Sequence, residues 1–196
     1  MSPLPVLLFT LAPIILAGIS NMVLIKLPIA QRLHRPMDGG RRLADGKRLF
    51  GDHKTWKGFW GMVAMGAWWL GLTGLLVDLA PSLENYSLIN FDEFHSLLSS
   101  WAYGALWGLA YVLAELPNSY IKRRINISPG AQGSGRLGFA FAFLDQADSV
   151  VGCLLVLPLF GRLTLVDGVA LFLLATALHY LFNILLYYAG LKRNRG

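Results

Sequence analysis

Residues 3–30 read PLPVLLFTLAPIILAGISNMVLIKLPIA, with a single charge, Lys26, near the end. A helix needs about 20 mostly apolar residues to cross roughly 30 Å of hydrocarbon, and this run exceeds that. Pro13 and Gly18 interrupt it, so a broken or re-entrant first helix stays open. No basic residue precedes the run, and a cleaved signal peptide is not expected. Four further apolar runs follow, at 58–80, 99–121, 143–160 and 163–190. The last two are separated only by a tight turn around Gly161 and Arg162. Each run is too long for a lipid-exposed barrel strand and lacks strict alternation. The expected fold is an all-α integral membrane protein of about five transmembrane helices. It forms one domain over 1–196, with two functional cytoplasmic loops.

Composition points the same way. The chain has 196 residues, 55% hydrophobic and 12% aromatic, with a mean hydropathy of +0.53. Only 14% are charged, against about 25% in a typical soluble domain. A soluble globule of this length would expose large apolar patches, and a disordered chain would not be this apolar. One cysteine, Cys153, excludes a disulfide scaffold and a cysteine-built zinc site. His34, His53 and His95 have no ligand spacing to one another.

Charge orients the bundle. Segments 31–57 and 122–142 and the tail hold eight, four and three Lys or Arg, fifteen of the 17 in the chain. The loop 81–98 has none, but carries Glu84, Asp92 and Glu93. With five spans, all three basic segments fall on one side. The positive-inside rule makes that side cytoplasmic and puts the N-terminus outside. Attraction to anionic lipid accounts for part of the +6 net charge. It does not account for Asp38, Asp45, Asp52, Glu115, Asp145 and Asp148 on the same side. Cations beside carboxylates suit phosphates plus a divalent cation.

Three segments carry this chemistry. The loop before the second span runs from Asp38-Gly39-Gly40 to Gly51-Asp52-His53-Lys54-Thr55-Trp56-Lys57-Gly58. Its glycines let backbone N–H groups approach an anion, and the following helix adds its N-terminal dipole. The spacing is not that of a Walker A loop, and a polybasic turn fits the composition equally. The third span ends with Glu115, Ser119 and Arg123 on one face, with Asn118 and Lys122 beside it. An acid inside a span is a functional candidate. The fourth span opens Asp145-Gln146-Ala147-Asp148, whose spacing puts both carboxylates on one face. Two hard oxygen donors suit Mg²⁺, although acids also favour helix N-termini. His179, Asn183 and Tyr187 form a polar stripe on the last span, which reads first as interhelical hydrogen bonding.

In this order, Gly51 to Gly58, Ser119-Tyr120-Ile121-Lys122-Arg123-Arg124 with Pro129-Gly130, Asp145 to Asp148, and His179 to Lys192 resemble the CDP-archaeol synthase family. That family belongs to the wider group of membrane CTP:phosphatidate cytidylyltransferases. The S-x-x-K-R, P-G and D-x-x-D succession is the most specific part. The resemblance implies a Mg²⁺-dependent enzyme that joins CMP from CTP to a lipid phosphate and releases pyrophosphate. By that likeness Asp145, Asp148, Lys122 and Arg123 are catalytic. Asp38, Gly51, Asp52, Lys54, Thr55, Ser119 and Arg124 bind CTP and phosphate. The metal is held by Asp145 and Asp148, with Glu115 as a third candidate. The chain departs from the family's usual pattern at His53, at Ala114-Glu115, at Asn118 and in the length of 131–142.

The expected partners are CTP, a phosphorylated membrane lipid and the bilayer. No nucleic acid is expected, and a homodimer is compatible with the sequence. The lipid is an archaeol-type ether phosphate or phosphatidic acid. The expected place is the inner or cell membrane, multi-pass, with the site facing the cytoplasm. Two other classes compete: a transporter or channel lined by Glu115 and the last-span stripe, and a scaffold that binds anionic lipid through its basic loops.

Overall fold

The computed structural model describes residues 1–94, 97–129, 131, 133 and 135–191. Gly130 of the Pro-Gly pair, His95 and the basic tail residues Lys192, Arg193 and Arg195 lie outside them. Five long helices follow in chain order: α1 (Leu4–Lys26), α2 (Trp56–Leu79), α3 (Leu97–Arg124), α4 (Gly135–Val156) and α5 (Leu165–Tyr188). At 1.5 Å per residue they run about 33–42 Å, enough for a bilayer. By length and composition, α1, α2, α5 and the segment Gly135–Leu159 are apolar enough to cross a membrane. α3 has the length and is packed between α2 and α4.

α1 is continuous, with Pro13 inside it, so the interruption considered from sequence is not there. Pro13 and Thr10 lie on its buried side, where neighbouring elements tolerate a missing backbone donor. α4 begins at Gly135 rather than near 143. Asp145 and Asp148 therefore sit well inside the helix and not at its N-terminus, so a preference of acids for helix starts does not explain them.

Small residues set the packing. Gly104 and Gly108 of α3 face Gly66 and Met62 of α2. A Cβ on Gly104 would lie 2.4 Å from the Gly66 carbonyl oxygen, and one on Gly108 would lie 2.4 Å from that of Met62. Close backbone approach through a G-x-x-x-G step replaces hydrophobic drive inside lipid. On the other side of α3, Gly152 of α4 lies against Ala110, and the Trp107 indole donates to the Cys153 carbonyl at 3.1 Å. These pairings run α2 antiparallel to α3, and α3 antiparallel to α4.

α1 and α5 run parallel. The Ser2 amide donates to Asp167 at 2.7 Å at one end, and Lys26 Nζ donates to the Gly190 carbonyl at 3.0 Å at the other. The C-terminal ends of α1, α3 and α5 thus share a side with the N-terminal ends of α2 and α4. The far side is tied by a bridge between Ile89 and Gly161 and by the Arg162 amide donating to Leu88. The two passes α2 and α3 bring the loop 31–55 and the turn at 125–129 to the same side, as the charge pattern expects.

Candidate active site

The loop 31–55 is built around Asp38. Its carboxylate is buried. It accepts from Arg48 Nη2 at 2.6 Å and from the amides of Gly40, Phe50 and Gly51 at 3.1, 3.0 and 2.9 Å. Burial alone would raise its pKa, but Arg48 and these N–H groups outweigh that and hold it far below the usual range. Gly51 has φ +103°, and a Cβ there would meet the Pro129 ring at 2.5 Å, so this glycine seats the loop on the 125–129 turn. Arg124 reaches from α3 to Asp45 at 2.7 and 2.8 Å and to the Arg48 carbonyl. Asp52 is 74% exposed and pairs with Arg48.

The structure therefore separates the residues read as substrate-binding into two groups. Asp38, Gly51, Asp52 and Arg124 shape the loop and do not line the cavity below it. A carboxylate saturated by its own loop has no lone pair for a ligand, and Arg124 is already committed to Asp45. Lys54, Thr55 and Ser119 do line the cavity, with Lys122, Arg123, Asp145, Asp148 and Glu115. Thr55 caps α2, its hydroxyl accepting from the Gly58 amide at 3.1 Å.

The cavity has a volume of about 450 Å³. Its polar end lies where α2 begins, α3 ends and Asp145 looks across from α4. Its other end is apolar, lined by Leu11, Ile14, Met62, Trp107 and Leu157. From Asp145 to Leu157 it extends about 18 Å along α4. All five helices contribute to the wall.

At the polar end the charges interlock. Lys122 Nζ donates to Asp145 at 2.6 Å. Lys54 pairs with Glu115. Arg123 is buried, with Nε on the Ser119 carbonyl at 3.4 Å and Nη1 without a partner among the described residues. A buried guanidinium with a spare N–H is a ready anion site. His53 stands at the cavity mouth. Its residue surface is exposed, but crowding by the site and the cations Lys54, Arg123 and Lys122 push its pKa down to about 4, so the ring is neutral near pH 7.

Glu115 is turned toward Lys54, and among the described residues no three His, Cys, Asp or Glu form a metal-holding group. Glu115, the third candidate, pairs with Lys54 in this structure. Asn118, which sequence reasoning placed only beside the stripe, stands at the centre instead. Its Nδ2 donates to Asp145 Oδ1 at 2.7 Å and to Asp148 Oδ2 at 2.8 Å. The available signal was the three-residue step from Glu115 to Asn118, which keeps both on the face toward α4. Deeper in the wall, Asn183 donates to Gln146 Oε1 at 2.5 Å and His179 Nδ1 contacts the Gln146 carbonyl at 3.1 Å. His179 and Asn183 of the last-helix stripe thus bond across to α4.

This arrangement, two acids against a Ser-x-x-Lys-Arg helix end over an apolar cavity, lies within residues 5–194, which match the CarS-like CDP-archaeol synthase family model. The chain belongs to the CDP-archaeol synthase family. It is 36% identical over 163 residues to a CDP-archaeol synthase of Methanoculleus marisnigri, covering 80% of this chain and 87% of that one. It is 35% identical over 161 residues to one from Archaeoglobus fulgidus, covering 80% and 82%. Among solved structures it resembles an intramembrane enzyme for archaeal membrane lipid biosynthesis. The TM-score is 0.60 at 25% identity, over 90% of this chain and 92% of that one. Membership makes the chain a multi-pass membrane transferase, a CTP-dependent cytidylyltransferase acting on a lipid phosphate. It counts against the transporter and scaffold readings.

Proposed function

We propose that this chain transfers CMP from CTP to the phosphate of an archaeol-type ether lipid, forming a CDP-lipid and pyrophosphate in a Mg²⁺-dependent reaction. The observation that carries it is the junction of anion-binding and acidic groups at one end of an apolar cavity. A lipid phosphate keeps its chains among Leu11, Ile14 and Met62 and presents its head to Lys122 and Arg123.

The lipid phosphate oxygen attacks the α-phosphorus of CTP. A new P–O bond forms, the bond to the β-phosphate breaks, and its electron pair leaves on pyrophosphate. The acceptor is already an anion at neutral pH, so no strong general base is required. The residues position two polyanions and offset their charge. Arg123, with its spare Nη1, and Ser119 take the phosphates. Lys122 and Lys54, each held on a carboxylate, swing to the nucleotide. The metal fits the donor set: Asp145 and Asp148 supply hard oxygens, and one or two carboxylates plus substrate phosphates is the usual Mg²⁺ environment. When bound, it would offset charge on the reacting and leaving phosphates. The site faces the cytoplasm, where CTP is supplied, with the N-terminus outside.

The test gives purified protein α-phosphate-labelled CTP and Mg²⁺, with unsaturated archaeal ether-lipid phosphate in one tube and phosphatidic acid in another. Label should enter the organic phase in the ether-lipid tube and vanish with EDTA. Asp148→Asn should lower turnover at least about 100-fold while the protein stays folded. Label only with phosphatidic acid would replace the lipid assignment. Full turnover in EDTA, or in the folded variant, would sink the metal assignment.

A further inference from the structure

Asn118 is 9% exposed and lies between the two acids. Both of its N–H groups are spent, one on each carboxylate. Its Oδ1 is buried and has no hydrogen-bond partner among the described residues. A buried acceptor left alone is costly. The oxygen and nitrogen ends of a carboxamide have nearly the same shape, so half a turn about χ2 exchanges them. That turn would face Oδ1 toward two carboxylates, which is unfavourable unless a cation lies among them. With a cation there, the same turn gives the orphaned oxygen a partner. It also supplies an oxygen ligand that the acids lack, since among the described residues no third acid joins them.

We propose that Asn118 is a ligand of the divalent cation held by Asp145 and Asp148, presenting Oδ1 after rotation of its carboxamide. This rests on the metal reading above. The amide nitrogen holds the two carboxylates together in the cation's place, and the oxygen replaces it when the cation enters. A neutral third ligand leaves the site less negative than a third carboxylate would. That keeps it hospitable to the phosphates gathered by Lys122 and Arg123.

The rival role is a clamp that only donates N–H groups, and one substitution separates the two. Asp at 118 keeps an oxygen ligand but has no N–H to give. The probe is Mn²⁺, titrated into metal-stripped protein in detergent and followed by the paramagnetic resonance of the free ion. Wild type should bind, and Asn118→Ala should bind at least about tenfold more weakly. Asn118→Asp should bind as tightly as wild type or more so. Size exclusion and thermal unfolding check folding. Asn118→Leu, close to Asn in shape, takes the place of Asn118→Ala if the smaller residue does not fold. Wild-type affinity in Asn118→Ala or Asn118→Leu would overturn the proposal. So would a loss in Asn118→Asp equal to theirs, which is the clamp's signature. Wild type that binds CTP but no Mn²⁺ would remove the metal reading itself, a different failure.

Discussion

Asp38 and His53 lie in the same loop and do opposite things with charge. Asp38 spends its carboxylate on Arg48 and three backbone amides, so the loop's shape depends on it. Asp38→Ala leaves those three N–H groups unpaired and Arg48 with only the exposed Asp52, at a cost of about 3 kcal/mol. Trypsin should then cut at Arg41, Arg42 or Lys47 far faster than in wild type. Because its folded pKa is depressed, this stabilisation is present above the ordinary carboxylate pKa and fades only as pH falls through the lower folded value. His53 is also shifted down, to about 4, and works as a neutral group. His53→Gln should leave the shape of the pH–rate profile unchanged between about pH 5.5 and 8. A lost inflection near pH 6.5 would show that the ring titrates there in the working enzyme. Sequence placed both residues in a phosphate-binding loop because glycines and cations surround them. That reading did not show that Asp38 faces its own backbone, since its partners come from turns up to 13 residues away.

The helices were legible as apolar runs, but how they meet was not. Gly104 and Gly108 looked like ordinary small residues of a span. Only the pairing with α2 shows them as contact points where backbone touches backbone. The start of α4 was misread for a related reason: Gly135, Arg136 and Gly138 break the apolar run of Leu137, Phe139 and Phe141, yet 135–142 continues the helix that carries the acids. Because Asp145 and Asp148 stand inside that helix, their position relative to Asn118 and Lys122 is set by the packing of α3, not by a flexible loop. Gly108→Val would force α3 away from Met62, whose carbonyl cannot yield without moving α2. The expected cost is about 1–3 kcal/mol, read as a lower unfolding temperature in detergent. Turnover should fall in the fraction that remains folded, since α3 also carries Asn118, Lys122 and Arg123. Unchanged turnover per folded molecule would mean that the site tolerates a shift of its central helix.

At the scale of the whole chain, the charge asymmetry was the most informative signal, because it needs only the count of passes and the sign of each loop. Five helices put the loop 31–55 at the end opposite the 81–94 and 157–164 segments, and the bridge between Ile89 and Gly161 fixes that far end. The cavity opens its polar end on the basic side. A nucleotide made in the cytoplasm reaches it only if that side faces inward, so topology and activity are one claim. The single native cysteine, Cys153, is buried and gives little background to thiol labelling. Arg41→Cys and Ser82→Cys place exposed thiols at opposite ends. An impermeant maleimide on intact cells should label Ser82→Cys and spare Arg41→Cys until the membrane is opened. The reverse pattern would turn the bundle over and put the candidate site outside, where CTP is scarce and the proposed reaction would fail. Labelling of both from one side would mean an even number of passes between them.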